Sequence, residues 1–388
     1  MPIVDFSQYP YYPALRCSTG EHLGYRSLGN SDKDWIIPVL ELSQRGNSPS
    51  LDPSIANIRQ TIGARAFILD LCHEPAPDPH ISANPRDPAA ERQRVEQERE
   101  AQEAYNRGLA RLLDPSDGFS AWRRLVTTFP NAIPVIQYTD ADAQARQILR
   151  QAAFFSRTGS IAIRIRQEDN ARIFEIISQI ISVIDSPDHL LIIIDCGQGR
   201  QRLRDRANFA RNAIGRITEG LDPAQIALIR AVCMSNTFMK PNHDGLIYYR
   251  NDDWGIWRAA RESFPFLFGD YAAMNRIRRM TTFTPSDYRA TVVYPLNDAW
   301  LVYRHPDAND EAGWGAGAEE VVAHERYQPV PEVWGAEVIG RAANGDTADV
   351  LASRFWHAVK VNIHIHRQIG AAAVNVAGLD GEDEGYDE

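Results

Sequence analysis

The chain lacks most of the features that would name a chemistry outright. Among its 388 residues no apolar run approaches the roughly 20 residues that a membrane-spanning helix needs. The opening stretch, MPIVDFSQYPYYPAL, has neither the basic start nor the apolar core of a secretory leader. The cytoplasm is therefore the expected location, and no membrane contact is expected. Cys17, Cys72, Cys196 and Cys233 are the four cysteines, and no two share a CxxC spacing, which argues against a zinc knuckle. They read as reduced, mostly buried thiols. Cys72 sits beside His73, but adjacent strand residues point to opposite faces, so the pair is badly placed for nucleophilic catalysis. No GxGxxG follows the first strand, and there is no Walker loop, GxSxG elbow or HExxH helix. Lysine is scarce: Lys33, Lys240 and Lys360 leave arginine to supply 38 of the 41 basic residues. Compositional bias explains this, or else a use of arginine in bidentate contact with phosphate or carboxylate.

The net charge of −10 is concentrated at the end, where GLDGEDEGYDE holds six acids and no base. Such a segment reads as a solvated, disordered tail over 371–388. The remaining body is only mildly acidic. Bulk charge does not suggest a nucleic-acid binder, although a local arginine cluster can still act as one.

What is present is alternation. Eight short runs rich in Ile, Val and Leu read as buried parallel strands: 12–17, 36–42, 66–71, 133–138, 161–166, 190–196, 226–234 and 265–270. Helical patterns separate them at 53–62, 120–128, 141–155, 170–184, 203–218 and 252–263. Strand and helix in turn predict an α/β fold, and eight strands favour a (β/α)8 TIM-barrel-like domain over 1–273. Residues 75–119 interrupt the pattern with a proline-rich loop and a polar helix. They read as an insertion standing off the barrel, either a solvated helix or a partner-binding arm. Residues 274–370 read as a C-terminal α+β extension with a β-hairpin at 291–303 and helices at 319–327 and 347–355.

Several strands end in polar residues, the mark of the working face of a barrel. Glu41, Asp70, Asp195 and Asp270 are the catalytic candidates, as acid, base or ligands for Mg²⁺. Arg16, Arg164, Arg166, Arg250, Arg258 and Tyr271 are the candidate ligand-binding residues, arginine beside an acid being able to neutralise phosphate. The competing account is a buried Arg–Asp network that ties strands together. Trp254 and Trp257, at helical spacing, fit the outer core better than base stacking. His364 and His366 lie two apart on a β-like run and would share a face with Lys360 and Asn362. With His357 they are weak metal candidates.

A set of motifs, taken in order, resembles the bacteriophage "beta protein" family, which also occurs in bacterial genomes near mobile elements and defence genes. The motifs are YYPALRCSTGE, WIIPVLEL, IPVIQY, IAIRIR, LLIIIDCGQ, DDWGIWR, FGDYA, YPLNDAWLVYR and FWHAVKVNIHIH. They span nearly the whole chain apart from 75–119 and the tail. Here Phe355–Trp356–His357 and the His-Ile-His of 364–366 stand where relatives tend to carry Trp-Arg and paired histidines, so no role is carried over for the histidines. The resemblance implies a barrel-like fold and a setting of phage–host conflict or antiphage defence. In that setting the chain would recognise, at the barrel mouth or the C-terminal extension, a protein partner encoded nearby, or a phosphorylated, nucleotide or nucleic-acid ligand. A metal-dependent phosphodiesterase or nuclease and a structural scaffold are the alternatives.

Overall fold

A computed structural model describes residues 1–79, 81, 87–239, 242–274, 289–308, 310–347 and 352–377. Its centre is a closed barrel of eight parallel strands. These are β1 (Tyr11–Arg16), β2 (Val39–Leu42), β3 (Phe67–Leu71), β4 (Ala132–Ile136), β5 (Ile161–Arg166), β6 (Leu190–Gln198), β7 (Arg230–Asn236) and, after an intervening β8 (Gly245–Arg250), β9 (Leu267–Asp270). They pair in chain order, and β9 closes the ring on β1 with Tyr12 opposite Gly269. The eight expected strands are thus the barrel.

The strands are apolar on both faces because both faces are covered. Val39, Ile68, Ile133, Ala162, Ile193 and Val232 fill the interior. Their neighbours Leu40, Leu69, Ile163, Ile192 and Ile194 point outward and pack with the surrounding helices. The N-terminal segment closes the end of the barrel opposite the strand C-termini: Phe6 joins the interior cluster, and Tyr12 donates to the Phe6 carbonyl at 2.6 Å.

The region 75–119 is not a free-standing arm. Its helix, Pro88–Leu112, has two different halves. The first is held by exposed pairs such as Arg94–Glu98 at 2.6 Å, in line with its polar composition. The second buries Tyr105, Leu109 and Leu112 in the main core. The expectation of a helix standing off the barrel is corrected for that half. YNRGLARLL carries apolar residues at positions i, i+4 and i+7, and that spacing is the overlooked signal.

After the barrel, β10 (Thr291–Pro295) and β11 (Ala299–Arg304) form the expected hairpin. β8 pairs with β11, so a strand from within 1–273 completes a three-stranded antiparallel sheet with the hairpin. Helices Gly313–Ala323 and Trp334–Ala343 cover this sheet, in place of the helix expected at 319–327. Of the helix expected at 347–355, residues 348–351 lie outside the described residues; the next helix begins at Ser353.

That helix, Ser353–Ala377, overturns the β-like reading of VKVNIHIHRQ and carries regular structure past residue 371, where the tail was expected to start. Val361, Ile365 and Ile369 join the barrel core, while Trp356, Val359 and Ile363 join the core of the extension. A helix pressed between two cores is apolar on opposite sides. Residues two apart are turned by about 200° on a helix, so the sequence imitates the alternation of a strand.

Candidate functional site

The site is built by strand parity. In β2, Val39 faces the interior, so Glu41, two residues on, does too; Ile68 and Asp70, Ala162 and Arg164, and Ile193 and Asp195 repeat the relation. The four polar residues converge at the C-terminal mouth, and Arg164 is the hub. Its Nη1 donates to Asp70 Oδ2 at 2.7 Å and to Glu41 Oε2 at 3.1 Å. Its Nη2 donates to Asp195 Oδ2 at 2.9 Å, supported by Nε at 3.2 Å. Nη2 also donates to the Tyr271 hydroxyl, which in turn donates to Asp195 at 2.7 Å. All four members of the Arg–carboxylate set are buried.

Outer partners fix the acids. Asp70 accepts from the Leu71 N–H at 2.8 Å and from Gln137 Nε2 at 3.2 Å, and Asp195 accepts from the Gly197 N–H at 3.0 Å. Gln137 accepts from His73 Nε2 at 2.7 Å, the amide being already committed to Asp70 and the Val135 carbonyl. Arg16 lies 3.8 Å from Glu41 and 3.5 Å from Glu74. Burial by itself would raise the Glu41 and Asp70 carboxyls. Arg164, aided by Arg16 at Glu41 and by Arg166 at Asp70, outweighs it and holds both below the usual carboxylate range. Burial also opposes the charge on Arg164, but Tyr271 and the three acids hold its pKa well above the ordinary value.

Arg166 is the next inward residue along β5. It is partly exposed, and among the described residues it makes no ion pair. Burial and Arg164 oppose its charge, and Asp70, Asp195 and Glu41 outweigh them, so it remains a guanidinium.

Asp270 is a correction. Phe268 of the same strand packs outward, and so does Asp270. Gly269 takes the inward position, where a Cβ would lie 2.7 Å from Val232 Cγ1. Asp270 therefore belongs to a second cluster, in the seam between the barrel and the C-terminal helix. There Tyr11 donates to its Oδ1 at 2.5 Å, and His364 Nε2 lies 2.6 Å from its Oδ2. Asp253 lies nearby, accepting from Ser235 Oγ at 2.6 Å and the Thr237 N–H at 3.2 Å. Burial, reinforced by Asp270, pushes the Asp253 carboxyl up to about 6.

Other expectations fail on geometry. Arg250 ends β8 and Arg258 lies on the exposed side of helix Asp253–Arg261, so neither reaches the mouth. Trp254 and Trp257 are buried, Trp254 stacked on Phe268 at 3.7 Å. His364 and His366 sit on different sides of a helix, His366 Nδ1 lying 3.0 Å from Asp32, while His357 is exposed. The three do not converge on one ion. Nor do the mouth acids fit Mg²⁺. Among the described residues, Glu41, Asp70 and Asp195 are not gathered as a joint ligand set, and Arg164 occupies the space between them.

Gln137 escaped the sequence reading, although it follows Val135 by two residues and was legible by the same parity, and His73 was considered only as a neighbour of Cys72. Tyr271, named as a ligand-binding candidate, is instead a member of the internal network.

Fold and mouth together define a class: a (β/α)8-like barrel whose C-terminal mouth is locked by one buried arginine and three carboxylates. The family model described as Beta protein matches residues 11–370, and the chain belongs to that family. It is similar to Protein beta of Enterobacteria phage P4, with 26% identity over 383 residues, covering 98% of this chain and 99% of that protein. Among the described residues no helix is long and apolar enough to cross a membrane.

Proposed function

We propose that the chain acts in phage–host conflict, as a component of antiphage defence, and that its barrel mouth recognises an anionic ligand or partner without cleaving it. The phage relative and the family support the setting. The observation that carries the recognition reading is the division of labour between two arginines two residues apart. Arg164 is fully engaged by Glu41, Asp70 and Asp195, so the acids that hydrolysis would need are already spent on holding the barrel mouth. Arg166 remains charged and partly exposed beside them, suited to a phosphate or carboxylate arriving from solvent. Metal-dependent phosphodiester hydrolysis would require a cation to displace Arg164 from Asp70 at 2.7 Å and from Asp195 at 2.9 Å.

The test is a phage challenge of bacteria carrying the gene with its natural neighbours, comparing wild type with Arg166→Ala. The expected result is loss of protection by a protein that still folds, with a smaller thermal loss than Arg164→Ala. Full protection by a well-folded Arg166→Ala protein would overturn the reading. EDTA-sensitive hydrolysis of a phosphodiester, abolished by Asp70→Asn, would replace it with the enzymatic alternative.

A further inference from the structure

Away from the mouth, three helices frame a groove of about 760 Å³. Its walls are the start of helix Asp52–Ile62, the buried half of Pro88–Leu112, and Ser116–Val126. That volume lies within the range of natural ligand and peptide pockets. The floor is apolar, with Leu51, Ile55, Leu112 and Leu125 among its lining. The rim is basic: Arg107, Arg111 and Arg124 line it, against Asp52 as the one acid in the lining. Arg107 has a loose, exposed partner in Glu103 at 3.7 Å, whereas among the described residues Arg111 and Arg124 have no ion pair.

Gly108 is part of the groove's lining. It lies in the interior of helix Pro88–Leu112, where glycine destabilises relative to alanine. Its backbone is not left-handed, and a Cβ added there would meet nothing within 4 Å. Neither turn geometry nor a close neighbour in this chain requires a glycine. The space beside this glycine is open, one residue from Arg107 and three from Arg111.

We infer that this groove docks an acidic segment of a partner protein, its apolar side chains on the Leu51–Ile55–Leu125 floor and its carboxylates on Arg111 and Arg124. This is the helix-in-groove mode of recognition, with an apolar stripe anchored and flanking charge matched. Nucleic acid fits less well. The aromatic ring in the lining, Tyr105, is 2% exposed and offers no face for base stacking. The inference is independent of the reading of the mouth, because it concerns a different surface and is tested without phage.

The experiment uses the full chain and fluorescein-labelled 14-residue probes in fluorescence anisotropy. An amphipathic Glu/Leu peptide is compared with a Glu/Ser peptide, a Lys/Leu peptide and a 14-nucleotide single-stranded DNA. The Glu/Leu peptide is expected to bind at least about ten-fold more tightly than the other three, a difference reduced by salt. Two variants locate the binding. Arg111→Glu with Arg124→Glu should weaken the Glu/Leu peptide at least about ten-fold and improve the Lys/Leu peptide. Gly108→Trp should fill the groove and abolish binding while leaving the protein folded, since it replaces glycine in a helix and its Cβ meets nothing within 4 Å. Failure of the Glu/Leu peptide to bind, undiminished binding to a folded Gly108→Trp protein, or tighter binding of the DNA that the Arg111→Glu, Arg124→Glu protein loses would each overturn the inference.

Discussion

Asp195 and Asp270 end two strands of one barrel and look alike in sequence, yet they sit in opposite electrostatic worlds. Asp195 faces inward, to Arg164 and Tyr271. Asp270 faces outward, to Tyr11 and His364, with Asp253 as a second buried acid nearby. The mouth holds Glu41 and Asp70 ionised because a guanidinium bridges them. At the seam Asp253 accepts from a hydroxyl and a backbone N–H, and Arg206 attracts it without hydrogen-bonding to it, so burial, reinforced by Asp270, wins. One residue of strand parity, set by Phe268 packing outward, separates the two outcomes. A polar residue at a strand end is therefore not yet a site residue; the face it occupies decides its chemistry.

The comparison is most sharply broken at Arg164. Arg164→Ala strands Glu41, Asp70 and Asp195 as buried acids without their shared cation. The expected loss is roughly 3–5 kcal/mol in urea unfolding at pH 7. A loss below about 1 kcal/mol would mean that water already solvates the mouth.

Asp195→Asn is expected to cost less, about 2 kcal/mol, because an amide keeps one acceptor for Tyr271 or Arg164 but gives up the charge. An open, ligand-accessible Asp195 would be suggested by the Gly-Gln-Gly that follows it, but the structure buries this carboxylate completely. A variant as stable as wild type would restore the open-site account. The pH profile has a definite sign here. Glu41 and Asp70 have folded pKa values below their unfolded ones, so their contribution is present above about pH 4–5 and is lost as pH falls through the folded values. In Arg164→Ala that acid-side loss should shrink or disappear.

At the seam, His364→Phe removes a partner of Asp270 but leaves Tyr11 and the Ala272 N–H in place. A loss of about 1–2 kcal/mol is expected, smaller than at Arg164. Differential scanning of the two variants side by side checks the order. A seam loss exceeding the mouth loss would show that the helix Ser353–Ala377, and not the interior network, is the main tie.

How much of this was legible in the sequence follows from the same physics. The barrel was, because strands covered on both faces leave uniform apolar runs that little else imitates. Glu41, Asp70, Arg164 and Asp195 were, because each follows an inward residue by two. Asp270 was not legible from its place at a strand end alone: it shares a face with Phe268, whose ring packs outward. The strand Gly245–Arg250 was missed because it is half-buried and pairs with a hairpin some fifty residues on, a relation no local pattern carries. The helix Ser353–Ala377 was misread because two cores claim its opposite sides. The groove beside Gly108 is assembled from three separate helices and has no linear signature at all.

The smallest effect, and the one that most sharpens the contrast, is at Asp253. Its folded pKa of about 6 lies above the unfolded value, so its contribution is fully present below about pH 4 and is lost as pH rises through about 6. The linkage cost at neutral pH is therefore at most roughly 3 kcal/mol. Asp253→Asn removes that cost. It also leaves a single acceptor oxygen where the carboxylate serves both Ser235 and the Thr237 N–H, so a net gain of about 1 kcal/mol at pH 7.5 and none at pH 4 is expected. The same substitution thus has opposite signs at two acids of one barrel: destabilising at Asp195, which is hydrogen-bonded to a guanidinium, and stabilising at Asp253, where burial and Asp270 outweigh the attraction of Arg206. Urea unfolding of both variants at the two pH values reads this directly. If Asp253→Asn were as destabilising at pH 7.5 as Asp195→Asn, the seam carboxylate would have to be ionised and paired, and the division between the two clusters would fall.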